Sequence, residues 1–301
     1  MQEIYNEIIK HIEEERVLKN ELMNKHTSFK IGGPADIFIK INTLEELKYI
    51  LALAKNKKIP LTVIGNGTNL LVRDKGIRGI VIKLNLNNIK IQNEIIEVEA
   101  GALIIKLARM AYENSLTGLE FASGIPGTIG GAIKMNAGAY GGEFKDIVLE
   151  TTYLDENLNL HTITNEQSEF SYRDSIFNKN DDYIIISTKL KLHKGNKEEI
   201  KNKMEENSSK RREKQPINLP NAGSIFKRKN ELIPAQIIDK CGLKGYNIGD
   251  ACVSDLHAGF IVNKGNATAT DVLNLIEHIK VVIKEKYNLE LDVEIKIIGE
   301  E

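Results

Sequence analysis

Residues 123–142, SGIPGTIGGAIKMNAGAYGG, hold seven of the chain's 23 glycines. Glycine is needed where φ is positive or where no Cβ fits between the backbone and a neighbour, and each one costs conformational entropy on folding. So dense a block argues against regular periodic structure along its length and points to a ligand held by main-chain N–H groups. A second stretch at 63–70, VIGNGTNL, sets an apolar run of strand type before a Gly-Asn-Gly turn. Consecutive amides in such a turn form a nest for phosphate. Two glycine-rich loops, about 60 residues apart, suit the two ends of one long anionic cofactor. Neither carries GxGxxG between a strand and a helix, nor GxxxxGK(S/T), so neither a dinucleotide Rossmann fingerprint nor a P-loop is supported.

The formal charge of −1 gives no electrostatic case for nucleic acid or a membrane as partner, so an anionic ligand has to be met by local groups. Cys241 and Cys252 fit no metal spacing, and no metal is expected. The N-terminal MQEIYNEIIKHIEEER carries acids throughout and reads as neither a signal nor a transit peptide, and no apolar run reaches membrane-spanning length. A cytoplasmic protein is the expectation.

At 301 residues there is room for two domains or one large one. Apolar positions at Ile4, Ile8, Ile9 and Ile12 predict a helical stripe within 2–23, an N-terminal arm over 1–25 without chemistry. Alternation at Ala35, Ile37, Ile39 and Ile41 predicts a strand, and Thr43 with Glu46 a capping box for a helix through about Lys57. Strands are expected at 70–72, 79–84, 94–98, 147–154 and 183–192, with a helix over 102–114 that turns Leu103, Leu107 and Met110 inward. From 195 the texture changes, and the charged, helical stretch 197–214 marks a domain boundary. Beyond it come a strand around 224–227, a helix with Pro234 in its first turn, a strand at 259–262 and a long helix from Asn266 or Thr268 to about Lys286. In the final strand, LDVEIKII, Leu291, Val293, Ile295 and Ile297 face one way, and Asp292, Glu294 and Lys296 the other.

Six ordered motifs, HTSFKIGGPAD, VIGNGTNLLV, SGIPGTIGGAIKMNAGAYGGE, FSYRDS, NAGSIFK and LDVEIKIIG, resemble the UDP-N-acetylenolpyruvoylglucosamine reductase family from about residue 26 to the C-terminus. The resemblance implies a flavin-binding fold of the vanillyl-alcohol oxidase and p-cresol methylhydroxylase type. That is an α/β FAD-binding domain of two subdomains over 26–194, followed by an α+β substrate domain over 195–301. Non-covalent FAD would be held by Gly65, Asn66, Gly67, Thr68, Asn69 and Leu70, by Ser123, Gly124, Pro126, Gly127, Gly130 and Gly131, and by Asn136, Ala137, Gly138 and Ala139. The implied reaction uses NADPH to reduce the flavin, which then gives a hydride to C3 of UDP-N-acetylglucosamine enolpyruvate. Protonation at C2 completes UDP-N-acetylmuramate, a peptidoglycan precursor.

Carried over motif by motif, Arg173 matches the family's substrate-binding arginine, Ser224 its proton donor to C2 and Glu294 its second acid. A guanidinium fork suits a carboxylate and keeps its charge. Tyr172, Lys214 and Lys227 are further substrate-binding candidates, the lysines because a diphosphate needs cations. Read without the resemblance, Arg173 is a surface ion pair with Asp174, Ser224 a turn residue and Glu294 a solvent-facing side chain. His257 is expected to be structural, and His26 to carry no covalent flavin. Two departures stand out. FKRKN at 226–230 replaces the family's common FKN-P, and only 51 residues separate Arg173 from Ser224, as in the branch lacking a tyrosine-bearing lid loop. The rival readings are an alcohol or hydroxy-acid oxidase of the same fold and a non-catalytic flavin-binding module. The oxidase has no use for a proton donor to C2.

Overall fold

The strand Pro34–Ile41 buries all four alternating positions, Ala35, Ile37, Ile39 and Ile41, and Phe38 on its other face as well. It lies beside Ile77–Leu84, which pairs in parallel with Leu61–Ile64, Leu61 opposite Ile80 through Ile64 opposite Lys83. A strand covered on both faces reads as an apolar run, and Ile80, Val81 and Ile82 are all fully buried.

This computed structural model describes residues 1–229 and 232–301, which form two compact units. The first comprises Met1–Leu18, Ile37–Asn66 and Gly79–Lys210; the second comprises Lys19–Asp36, Gly67–Arg78 and Arg211–Glu301. The division is discontinuous because Phe29, Ile31 and Leu71 share a core with Ile225, Ile261, Leu275 and Ile295. It falls inside the charged helix Lys197–Lys214, between Lys210 and Arg211, and so does not follow the ranges 1–25, 26–194 and 195–301.

In the first unit, the helix Leu44–Lys57 starts at Thr43, whose Oγ1 accepts the Glu46 amide at 3.1 Å, but the expected reciprocal box is only half formed, because Glu46 reaches past Thr43 to the amide before it. The Glu46 carboxylate takes the Asn42 amide at 2.8 Å and the Arg16 guanidinium at 2.6 Å. A five-stranded antiparallel sheet runs in the order Leu160–Thr164, Val148–Leu154, Ile184–Lys191, Ile95–Glu99 and Ile89–Gln92. The N-terminal helix stops at Ile8, and Val17–Leu22 is a strand. The helix thus ends before the last apolar position of the stripe, Ile12, which is buried beyond it. Tyr5, Ile8, Ile12 and Val17 nevertheless join the core of this unit. Leu103 is also corrected: it is the cap of the helix Ile104–Glu113, 46% exposed, and the buried face is Ile104, Leu107, Ala108 and Ala111.

In the second unit, a four-stranded antiparallel sheet runs Asn221–Ser224, Phe260–Asn263, Ala251–Val253, Asn247–Ile248. Pro234 opens the helix Pro234–Lys240, where its missing N–H costs nothing. Thr268 and Asp271 cap the helix Ala269–Tyr287 reciprocally. Asp74 adds a second cap to this helix, accepting the amides of Ala269 (2.7 Å) and Thr270 (2.9 Å) and the Thr270 hydroxyl (2.6 Å). The last segment is a regular strand only over Lys296–Ile298, parallel to Leu70–Val72. Before it, Val293 makes an isolated bridge to Phe226, and the alternation survives only in part: Leu291 and Ile295 are buried and Asp292 and Lys296 exposed, but Val293, Glu294 and Ile297 are all half-buried. Among the described residues no helix is long and apolar enough to cross a membrane, and no three His, Cys, Asp or Glu side chains group as metal ligands do.

Candidate active site

Within the first unit the two glycine-rich loops meet. Asn66 donates its amide Nδ2 to the Pro126 carbonyl at 2.8 Å, and a Cβ on Gly65 would stand 2.4 Å from Thr128 Oγ1. Glycine at 65 is thus required by close approach. The loops are held by their own backbone: Ile129 N–H donates to Ala102 O at 2.9 Å and Gly130 N–H to Ala100 O at 2.8 Å. The Gly130 amide therefore serves the fold, and Ser123 gives its hydroxyl to Glu120 O at 2.9 Å. At Gly131 an added Cβ would meet only Thr128 Oγ1, at 3.5 Å, so the main chain there is open to a ligand.

Asn136 is fully buried and its side chain is committed internally. It donates to Glu143 Oε2 and to Ser171 O, both at 2.9 Å, and accepts the Lys145 amide at 2.9 Å. Its backbone φ of +42° is one that asparagine tolerates better than most residues. Beyond it, Gly138–Ala139 and Gly142–Glu143 form a hairpin whose turn residues Tyr140 and Gly141 both have positive φ. Such a turn follows the right-handed twist of the strands it joins. Burial pushes the Glu143 carboxyl up, but Lys145, Asn136 and nearby Arg173 outweigh it and hold the group below the usual glutamate range.

Arg173 sits over this hairpin. Ser171 and Asp174 exchange backbone hydrogen bonds at 3.0 and 3.3 Å, closing a tight turn that puts Arg173 at φ +56°. A non-glycine residue held in the left-handed region costs about 1–3 kcal/mol and persists only where its surroundings over-determine it. Here Arg173 donates to Gly138 O at 3.0 Å and stacks its guanidinium 4.9 Å from the centroid of the exposed Tyr172 ring.

In the second unit, the segments bearing Ser224 and Glu294 are paired. Glu294 N–H donates to Ile225 O at 2.7 Å, and Lys227 N–H to Asp292 O at 2.8 Å. Ser224 and Glu294 are both half-buried. Asn69 adjoins them: its carbonyl accepts the Lys296 amide at 2.9 Å and its Nδ2 reaches Glu294 O at 3.3 Å. Gly67 is fixed by Ser28, whose N–H donates to Gly67 O at 3.1 Å and whose hydroxyl donates to Asn221 O at 2.6 Å. Around Gly223, φ +82°, an added Cβ would meet nothing within 4 Å, so the strand is open beside Ser224. Lys227 is half-buried, whereas Lys214 ends its helix exposed. In the FKRKN departure, Asn230 lies outside the described residues.

His257 Nδ1 accepts the Gly259 amide at 3.1 Å, and its ring meets Phe260 edge-on. Burial, with Arg228 and Lys244 nearby, pushes it below the usual histidine range. His26 pairs with Glu21 at 3.0 Å. Sequence reasoning missed Lys83, whose ammonium lies 3.3 Å from Asn66 Oδ1. Only the strand register reveals it: Lys83 stands opposite Ile64, one residue before the Gly-Asn-Gly turn.

Residues 35–164 match a family model described as an FAD binding domain, and residues 215–298 match the C-terminal domain of UDP-N-acetylenolpyruvoylglucosamine reductase. Relatives bearing that reductase name include one from Caldanaerobacter subterraneus, 51% identical with full coverage of both chains. Another, from Clostridioides difficile, is 45% identical and covers 100% of this chain and 99% of its own. The crystal structure of the Thermus caldophilus enzyme of this name superimposes with a TM-score of 0.82 at 35% identity, covering 94% of this chain and 99% of that one. An FAD-binding α/β part followed by an α+β C-terminal part, the arrangement read from the motifs, agrees with these matches.

Proposed function

The chain belongs to the UDP-N-acetylenolpyruvoylglucosamine reductase family, and from that premise we propose that it binds FAD non-covalently and uses NADPH to reduce UDP-N-acetylglucosamine enolpyruvate to UDP-N-acetylmuramate. The observation that supports it most is local: the segment of Ser224 is hydrogen-bonded to the segment of Glu294, so the two acids of the reaction stand on adjoining backbone. The first unit fits the flavin, since Gly65 closes on Thr128 while Gly131 leaves main chain open beside it. We assign the flavin to 26–194, with Gly65, Asn66, Gly124, Gly127, Gly131 and Gly138 among its contacts, and the substrate to 195–301 through Lys214, Ser224, Lys227 and Glu294, with Tyr172 and Arg173 as its contacts from 26–194. The enzyme would work in the cytoplasm on a small-molecule UDP-sugar.

FAD, when bound, supplies the hydride delivered to C3 of the substrate. Addition there leaves negative charge on C2 and the adjoining carboxylate, and the chain's own groups meet it. Arg173, held by Gly138 O, offers its guanidinium to the carboxylate, where a preorganised donor acts most strongly as charge grows. Ser224 gives its hydroxyl proton to C2 while its oxygen takes up another from a relayed source, so that no alkoxide is left, and Glu294 holds the reacting carbon's substituents by hydrogen bonding. Tyr172 flanks Arg173, and Lys214 and Lys227 meet the diphosphate.

The test is anaerobic. The FAD-loaded protein is reduced with NADPH, freed of excess nucleotide, and given the enol ether while flavin absorbance is followed. Return of the oxidised spectrum with formation of the lactyl ether is the expected result. Reduction by NADPH without reoxidation by the enol ether would reject the substrate.

A further inference from the structure

Lys83 carries a charge that the fold does not neutralise. It is half-buried, opposite Ile64 in a parallel strand pair, and its ammonium points to the junction of the two glycine-rich loops. Asn66 Oδ1 receives it at 3.3 Å, while Asn66 Nδ2 is tied to Pro126 O at 2.8 Å. Among the described residues no ion pair involves Lys83, and the charge that bears on it is a second cation, Lys40. Burial, with Lys40 adding to it, pushes Lys83 below the usual lysine range. A desolvated ammonium without a counter-charge is unfavourable, and a like charge beside it makes it more so. Asn66, neutral and polar, orients this cation without cancelling it.

We propose that Lys83 neutralises a phosphate of the FAD diphosphate, with Asn66 holding the ammonium at the mouth of the Gly-Asn-Gly turn. The inference rests on the flavin reading above. The chemistry recognised is a diphosphate, which the UDP-sugar also carries. The flavin is the occupant because Lys83, Asn66 and the Pro126 to Gly131 segment belong to one unit and meet at one point, where Gly65 packs on Thr128 and Gly131 leaves main chain open. Lys83 thus adds one formal positive charge to a neutral amide cradle and offsets one of the two charges of a dianionic linker.

The test uses the full chain stripped of FAD and titrated with FAD by quenching of flavin fluorescence, at low and high salt, for the wild type, Lys83→Met and Lys83→Arg. A charge-assisted contact of ordinary strength predicts a Kd raised about 10- to 100-fold in Lys83→Met. Its Kd should also depend less steeply on salt, and Lys83→Arg should recover most of the affinity. In the stripped protein Lys83→Met should melt at or above the wild-type temperature, because it keeps the apolar stem and loses an uncompensated charge. A Kd within about twofold of wild type in Lys83→Met would overturn the inference. So would a higher KM for NADPH or UDP-sugar at unchanged FAD affinity, which would give Lys83 to another ligand. A lower melting temperature with equal weakening in Lys83→Arg would make it a packing residue. Failure of the wild type to bind FAD at all would overturn the flavin reading and this inference with it.

Discussion

Removing the Asn136 side chain should loosen both the hairpin 138–143 and the turn that carries Arg173. Asn136 is 0% exposed and makes three hydrogen bonds, to Glu143 Oε2, Ser171 O and the Lys145 amide, each 2.9 Å. Each is worth about 1 kcal/mol, more for the bond to the Glu143 carboxylate, and Asn136→Ala also leaves buried partners unsatisfied, so a loss of about 3–5 kcal/mol is expected. The φ of +42° adds to it, since alanine tolerates the left-handed region less well. Thermal unfolding of the FAD-loaded and stripped protein reads this, at about 2–4 °C per kcal/mol for domains of this size. Asn136→Asp sharpens the test. The new carboxylate still accepts the Lys145 amide but faces the Glu143 carboxylate and the Ser171 carbonyl with no donor. It should be at least as damaging as alanine at neutral pH and recover in part as acid protonates it. A loss below about 1 kcal/mol in Asn136→Ala, against the ordinary cost of such bonds, or a wild-type melting temperature for Asn136→Asp at neutral pH, would refute the reasoning.

Three further outcomes are expected. Arg173→Gln should lower kcat/KM for the enol ether by about 100- to 1,000-fold, the scale of a lost preorganised donor, with the flavin spectrum unchanged; steady-state kinetics decides it. Ser224→Ala should leave NADPH reduction of the flavin intact and slow reoxidation by the enol ether about 100- to 10,000-fold, the range of general acid catalysis, seen by stopped flow. Asp74→Asn should cost about 1 kcal/mol, the size of a helix cap lessened by solvent screening. Burial pushes the Asp74 carboxyl up, but the Thr270 hydroxyl and the Ala269 and Thr270 amides prevail and depress it. A depressed carboxyl stabilises the fold above its unfolded value and loses that contribution as pH falls through the folded one. The gap between wild type and Asp74→Asn should therefore be full at neutral pH and close below about pH 4, as equilibrium unfolding against pH will tell.

Local chemistry was legible where it is local. Thr43 and Pro234 start helices by chemistry within a few residues and stand where the sequence set them, while of the two starts left open for the long helix, Asn266 and Thr268, the cap is Thr268. Alternation marked the buried face of Pro34–Ile41 for the same reason. Leu103 misled because a helical period counted from an uncapped start places the first apolar residue inside, whereas the chain is still extended there, at ψ 133°. Asn136 was expected among the flavin contacts and Lys83 was not singled out; the partners of both were hidden for a different reason, since they lie up to 35 and 17 residues away, across turns and strand registers that no window of sequence holds. The motifs located Arg173, Ser224 and Glu294 through resemblance, and the backbone pairing of the last two is what only coordinates supply.

The discontinuity of the second unit bears on how the chain is made. Lys19–Asp36 and Gly67–Arg78 leave the ribosome early, yet the partners of Phe29, Ile31 and Leu71 lie beyond Arg211. The first unit has all its segments once Lys210 has emerged. At synthesis rates of about 5–20 residues per second, the remaining 91 residues, 211–301, take about 5–18 s. Through that interval Phe29, Ile31 and Leu71 have no completed core to join, so a chain stalled before Arg211 is expected to expose them and to aggregate more readily than the finished chain.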